Sequence, residues 1–318
     1  MSESSLGLEL LATAPLTKPP LNMTPLNVVS SDSHRVSVRL FKPVESPRAV
    51  LLLGHAMMTN SKSMDKPKGK GFASYLTDQG FLCYLIDARG RGLDAVPAHK
   101  GNDWSYDDLM LKDLPATIDA IRQRHPDTPF LMIGHSLFAH GGLGLLGKEV
   151  DTPLDGIVCF AANVWIPQLD SSIKRRIKKR AQLGVFNGFA LAFKRFPAKK
   201  LKFGNEDEAK TYTLSFLKWW KRDRWETLDQ SWDYLKGLGN VRVPVLAIAG
   251  KGDDLMCHPE CSETFFSHLT GAPVTHRTFG VGDDGLIFNP GHMDLITSVK
   301  SKPVWEYVVQ WIERVILK

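Results

Sequence analysis

The sequence predicts an α/β fold built on a doubly wound, mostly parallel sheet, with a helical cap inserted near its middle. Three observations predict it. Five short, nearly unbroken apolar runs recur along the chain, as expected of strands covered on both faces. Helix-length amphipathic segments lie between several of them, and a strand that alternates with a helix is the pattern of a parallel sheet. The alternation stops after Asn163 and resumes near Val241, so a segment of different composition interrupts it.

Residues 26–43, LNVVSSDSHRVSVRLFKP, alternate apolar and polar residues around a polar turn and predict an antiparallel hairpin at the start of the fold. The apolar runs follow: AVLLLGHA (49–56), FLCYLIDAR (81–89), PFLMIGHS (129–136), DGIVCFAAN (155–163) and VPVLAIAG (243–250). The clearest helix between them is SYDDLMLKDLPATIDAIRQRHP. There Leu109, Leu111, Leu114, Ile118 and Ile121 recur at helical spacing after Ser105, a capping residue type. An amphipathic segment, KPVWEYVVQWIERVIL, closes the chain.

A chain of 318 residues can bury a large core, and 43% hydrophobic with 23% charged residues is ordinary globular composition. No apolar run is long enough to span a bilayer. The opening MSESSLGLELLATAPLTKPP lacks the basic start and compact apolar stretch of a secretory signal, so a short tail is expected there, with the cytoplasm as the default location. Four cysteines are too few for a disulfide framework. Cys83 and Cys159 fall in strand-like runs and read as core thiols. Cys257 and Cys261 flank His258, but the trio lacks a fourth ligand and a paired second motif, and a helix-entry loop is the expectation instead of a metal site.

The interrupting segment, residues 164–240, is expected to be a cap on a core formed by 1–163 and 241–318. It interleaves aromatic residues, among them Phe186, Phe196, Trp219, Trp220 and Trp225, with many basic ones. Residues 168–224 hold sixteen Lys or Arg against five Asp or Glu, a net of +11, which leaves −5 for the rest of a chain whose formal net charge is +6. A polarised molecule of this kind steers acidic partners. Within SSIKRRIKKRAQLGVF, Ile173, Ile177 and Leu183 fall near one side of a helix, with Lys174, Arg175, Lys178 and Lys179 around the remainder, a pattern suited to an anionic membrane surface. The same pattern also fits a solvated helix whose isoleucines pack onto the core.

Three sites carry chemistry. In FLMIGHSLFAHGGLG, Ser136 stands where an apolar strand turns sharply into a helix; Gly134-His135-Ser136-Leu137 supplies four positions of a Gly-x-Ser-x-Gly elbow, and Phe138 occupies the fifth. In VPVLAIAGKGDDLM, Asp253 and Asp254 follow a buried strand. In FNPGHMDLI, His292 sits in a Gly-Pro loop ahead of the last helix. Taken singly these could be a helix-capping serine, a turn and a loop histidine.

Together, in the chain order serine, acid, histidine, they resemble the serine α/β-hydrolases over nearly the whole chain outside the cap. The resemblance implies that Ser136 is the nucleophile, His292 its base and Asp253 the acid that orients the base, with Asp254 as the other candidate. It implies an oxyanion hole from the N–H groups of Leu137 and of Met57, with Ala56 second; the family usually shows His-Gly where this chain shows Gly54-His55-Ala56-Met57. His55, Ala56, Met58, His135 and Phe138 are the expected substrate-binding residues, the Phe138 ring shaping an acyl pocket. DARGRGLD (87–94) is similar to the family's Asp-x-Arg-Gly-x-Gly turn, where Asp87 and Arg89 are expected to pair structurally.

DWSYDDLMLKDLPATIDAI, IGHSL and GHMDLI are locally similar to acid lipases and their bacterial esterase and lysophospholipase-like relatives. This implies hydrolysis of a carboxylic ester with an apolar acyl or alkyl group through an acyl-enzyme, without metal or organic cofactor. An acyltransferase or thioesterase with the same three residues, and a non-catalytic membrane-surface or ligand-binding protein, are the alternatives. The expected partners are a small apolar ester and an anionic membrane surface. Nucleic acid is not expected, because no binding motif accompanies the basic run. Nothing in the sequence sets an oligomeric state.

Overall fold

The computed structural model describes residues 26–92 and 95–318. The expected N-terminal tail, and Leu93 and Asp94 of DARGRGLD, lie outside the described residues. Among the described residues ten strands occur, in chain order β1 (Leu26–Val29), β2 (Arg35–Phe41), β3 (Val50–Gly54), β4 (Leu82–Asp87), β5 (Phe130–His135), β6 (Gly156–Phe160), β7 (Arg195–Phe196), β8 (Glu208–Ala209), β9 (Val245–Gly250) and β10 (Val274–Phe279). The helices are α1 (Phe72–Asp78), α2 (Tyr106–Asp108), α3 (Leu114–Arg124), α4 (Leu137–Lys148), α5 (Ile173–Phe193), α6 (Lys210–Arg222), α7 (Tyr234–Gly237), α8 (Pro259–Phe266), α9 (Asp294–Thr297) and α10 (Lys302–Val315).

Eight strands form one sheet in the order β1-β2-β4-β3-β5-β6-β9-β10. β4 through β10 run parallel, while the β1–β2 hairpin adds antiparallel to one edge. Every residue of β3, β4, β5, β6 and β9 is buried, which is why these strands read as unbroken apolar runs. Their side chains still alternate. Val50, Leu52, Phe130 and Met132 enter the apolar layer on one face, and Leu51, Leu53, Leu131 and Ile133 the layer on the other. β10 was not among the predicted runs. It is an edge strand of mixed sequence, VTHRTF, mostly half-buried, so it lacks the pattern of a covered strand.

Ser105 caps α2 through a reciprocal box with Asp108. The helix then passes through a π turn at Leu109–Asp113 into α3, whose first turn holds Pro115. Proline has no N–H with which to close the preceding α turn. The chain moves one way from β3 to β4 and then crosses back to β5, so the winding reverses between β3 and β5. In open parallel sheets, a reversal of this kind leaves a crevice at the carboxyl ends of the two strands.

The segment between β6 and β9 holds α5, the small β7–β8 ribbon, α6 and α7. It does not stand apart as one lid. Tyr212, Trp219, Trp225 and Tyr234 join the same apolar layer as Leu143 of α4 and Met110. α5 lies outermost, and its inner face is Lys179, Leu183, Phe186, Asn187 and Ala190. Two expectations are corrected here. Leu183 is buried, whereas Ile173 and Ile177 are 68% and 65% exposed, so they do not share a side. Lys179 and Arg175 turn inward onto the Asp170 carboxylate, at 2.7 and 3.1 Å, because the buried acid at the helix entry attracts both. A third correction concerns Arg89, which does not pair with Asp87. It bonds Asp113 and Asp32, while Asp87 accepts from the Ser61 N–H at 2.7 Å.

Among the described residues no helix is long and apolar enough to cross a membrane.

Candidate active site

The site forms at the carboxyl ends of β3, β5 and β9 and in the loop after β10. Ser136 follows β5 at the N-cap position of α4, without a side-chain capping bond, at φ 52° and ψ −103°, a sparsely populated conformation that costs ~1–3 kcal/mol unless the surroundings impose it. Here they do. The Ser136 N–H donates to the Phe160 carbonyl at 2.8 Å, and the Ser136 carbonyl accepts from the His140 N–H at 3.1 Å. A Cβ on Gly134 would lie 2.4 Å from the Ala139 nitrogen, so the turn closes only over glycine. Leu137 opens α4, where the first N–H groups of a helix have no intrahelical acceptor and carry the positive end of its dipole.

Asp253 is buried in the turn after β9, while Asp254 is exposed. One carboxylate oxygen of Asp253 accepts from the Met256 N–H at 2.9 Å; the other accepts from His292 Nδ1 at 2.6 Å. Burial of Asp253 favours the neutral acid, but the bonds from His292 and from the N–H groups of Cys257 and Met256 outweigh it and hold the carboxyl below its ordinary value. An ionised carboxylate only accepts, so Nδ1 carries the proton and Nε2 of His292 is left as the basic nitrogen.

The turn after β3 is built from both sides of the Ala56–Met57 peptide. His55 is fully buried; its Nε2 accepts from the Ala88 N–H at 3.1 Å, so Nδ1–H donates to the Ala56 carbonyl at 2.7 Å. The Thr59 hydroxyl donates to the same carbonyl at 2.9 Å. In a trans peptide the C=O and N–H point opposite ways, so the Met57 N–H is directed away from these buried groups. It has no acceptor among the described residues.

Ser136, Leu137, Met57, Asp253 and His292 thus lie just beyond the carboxyl ends of the sheet's strands. Several of the expected substrate-binding residues are buried in contacts within the protein. His55 is enclosed and uses both ring nitrogens. His135 is also enclosed; burial pushes its ring down to about 3, and its Nε2–H donates to the His292 carbonyl at 2.9 Å, tying the residue beside Ser136 to the histidine loop. Phe138 is 1% exposed. It packs under the turn against Gly54, whose Cβ position lies 2.4 Å from Phe138 Cβ, with the His55 ring 5.2 Å away edge-on. The missing side chain at Gly54 supplies the room that a small fifth elbow residue would otherwise leave. Ala56 and Met58 are buried as well, and the Met58 N–H is taken by Glu208.

Glu208 and its buried partner Arg91 were not singled out in the sequence. Arg91 stands in DARGRGLD and Glu208 in a run of three acidic residues, and neither position has a local pattern that predicts burial. Residues of the segment between β6 and β9 pack on the neighbouring turns: Met58 packs with Phe186, Phe196 and Ala198, and Trp165, Leu183 and Trp220 lie against Leu255 and Met256. Cys257, His258 and Cys261 enter α8, with the His258 ring accepting from the Glu260 N–H at 3.3 Å.

A family model described as serine aminopeptidase, S33 (Hydrolase_4) matches residues 45–213. Monoglyceride lipase of Mus musculus is 23% identical over 150 residues, which are 46% of this chain and 46% of that protein, so the match spans about half of that relative's length. An esterase of Pyrococcus furiosus superposes with a TM-score of 0.61 at 14% identity, covering 92% of this chain and 90% of that one. A carboxyl esterase from Bacillus coagulans, in complex with glycerol, gives a TM-score of 0.61 at 15% identity over 92% and 99%. Likeness at this level of identity speaks for the fold.

Proposed function

Because the chain belongs to the α/β-hydrolase family described as serine aminopeptidase, S33, which matches it over more than half its length, we propose that it is a serine hydrolase of carboxylic esters with an apolar acyl or alkyl group. Ser136 Oγ attacks the ester carbonyl while His292 Nε2 takes its proton and returns it to the leaving alcohol; Asp253 holds the imidazole in the required tautomer. The oxyanion is received by the N–H groups of Leu137 and Met57. Water, activated by the same histidine, releases the acid. The observation that carries this reading is the 2.6 Å bond between Asp253 and His292 in the loops flanking a serine held at positive φ. An ester rather than an amide is favoured by the local likeness to lipases and by the monoglyceride lipase relative.

A fluorophosphonate probe is expected to label the chain stoichiometrically, with the modified peptide mapping to Ser136, and the protein is expected to hydrolyse a short-chain nitrophenyl ester. A folded protein that does neither is a binding protein on this fold. A labelled protein that turns over thioesters or transfers acyl groups while sparing oxygen esters is the alternative enzyme.

The same proposal includes an anionic membrane surface as partner. On the outer face of α5, Ile173, Ile177 and Leu191 are 68%, 65% and 60% exposed and recur with helical period on one stripe. Lys174 and Lys178 flank the stripe on one side, Arg176 and Arg180 on the other, and all four are exposed. Basic side chains beside an exposed apolar stripe can reach headgroups while the stripe meets the acyl boundary. Changing Lys174, Arg176, Lys178 and Arg180 to Gln is expected to weaken binding to vesicles rich in anionic lipid by at least about tenfold in low salt, since each basic residue near such a surface contributes ~1 kcal/mol. Wild-type binding should fall steeply as salt rises. Equal binding to neutral and anionic vesicles would remove the surface from the proposal.

A further inference from the structure

From the contacts of Met58 we infer that Glu208, a cap residue, is a positioning residue for the oxyanion hole: the cap clamps the turn that presents the Met57 N–H. The inference rests on the serine-hydrolase reading and adds a part of the machinery that lies outside the hydrolase core.

The turn after β3 would not hold its shape unaided. Met58 has φ +58°, a left-handed conformation that a non-glycine residue keeps only when its surroundings impose it. On the inner side, His55 and Thr59 hold the Ala56 carbonyl, which sets the plane of the peptide carrying the Met57 N–H. On the outer side, every constraint comes from the cap. The Glu208 carboxylate accepts from the Met58 N–H, and the Met58 carbonyl accepts from the N–H groups of Asn205 and Glu206 at 2.8 and 3.1 Å. Gly204 passes so close that a Cβ there would lie 2.2 Å from the Met58 oxygen. The side chains of Glu208 and Arg91 are both fully buried, and the Arg91 guanidinium bonds the same carboxylate oxygen that accepts from Met58. Arg91 comes from the turn after β4, so the acid is fixed by the core on one side and fixes the oxyanion turn on the other.

The two roles of Glu208, partner of Arg91 and acceptor for Met58, separate in a pair of double variants. Removing one member of a buried ion pair leaves an uncompensated charge, whereas replacing both by uncharged groups of similar size is often tolerated. Arg91→Met with Glu208→Gln keeps an acceptor oxygen for the Met58 N–H and is expected to retain at least about a third of the wild-type kcat on a soluble nitrophenyl ester. Arg91→Met with Glu208→Met removes the acceptor and is expected to lose about 100-fold in kcat, the scale of a lost oxyanion donor, with KM within about threefold and a parallel loss in the rate of fluorophosphonate labelling. In hydrogen exchange, the peptide that contains Met58 should lose protection in the second double variant and keep it in the first.

Gly204→Ala, which retains both charges, carries the test if the Met/Met variant does not fold; its Cβ displaces the clamp and is expected to lower kcat about tenfold at nearly unchanged KM. Equal kcat in the two folded double variants, or a wild-type kcat in folded Gly204→Ala, overturns the inference. A wild type that neither takes the label nor hydrolyses ester removes the hydrolase reading as well. An active, labelled wild type whose Met/Met variant keeps its kcat removes this inference alone.

Discussion

Ser136→Ala and His292→Ala are each expected to lower ester turnover by about 10⁴ to 10⁶-fold with little change in stability, because nucleophile and base act as a unit and neither supplies much of the core. Ser136 is buried but loses only its hydroxyl oxygen, and His292 is partly exposed, so truncation opens no large cavity. Asp253→Asn is expected to cost at least ~100-fold: the amide cannot accept and stabilise as a carboxylate does, and it can present its NH₂ to the ring and reverse the tautomer. Asp254→Asn should cost far less, since Asp254 is exposed and no bond joins it to His292. Steady-state kinetics on a soluble ester, with circular dichroism as the control for folding, makes the comparison. Near wild-type turnover in Ser136→Ala would reject the mechanism, and the reverse ranking of the two aspartates would move the orienting acid to Asp254.

The second large effect is expected at the elbow. Phe138→Ala should destabilise the chain by about 3–5 kcal/mol, the range for truncating a buried phenylalanine, because the ring fills the space that Gly54 leaves beneath the turn. Gly54→Ala should also destabilise it, since the new methyl would stand 2.4 Å from Phe138 Cβ and force the ring or the elbow to shift. Combining the two should recover part of the loss, as the alanine methyl enters the space vacated by the ring; coupling of this sign distinguishes contact from two independent lesions. Urea denaturation gives the stabilities, and the rate of fluorophosphonate labelling reports whether the elbow has moved. If Phe138→Ala instead changed acyl-chain preference with no loss of stability, the ring would belong to the substrate pocket.

The positions of Ser136, Asp253 and His292 were legible because each rests on a local pattern. An apolar run that ends in Gly-His-Ser predicts a strand-to-helix turn, and an acidic pair after VPVLAIAG or a histidine in a Gly-Pro loop requires only its neighbours in the chain. The pairing of Asp253 with His292 was expected only from chain order; the distance between them depends on β9 and β10 lying side by side. The two faces of α5 show where local pattern stops. Ile173 and Ile177 have the spacing of a buried stripe, yet the inner face begins at Lys179 and Leu183. The helix carries apolar residues on both sides, and periodicity alone does not say which side meets the core.

By itself the sequence determined the sheet's covered strands, their alternation with helices, the break that holds the inserted segment, and the order of serine, acid and histidine. These follow from period-2 and period-3.6 patterns and turn chemistry, which act over a few residues. Only the tertiary structure decided that Phe138 fills the space over Gly54, that the His55 and His135 rings bond backbone carbonyls, and that Glu208 reaches Met58 across 150 positions. Each of these depends on the distance between groups far apart in the chain, and that distance is set by how the layers pack.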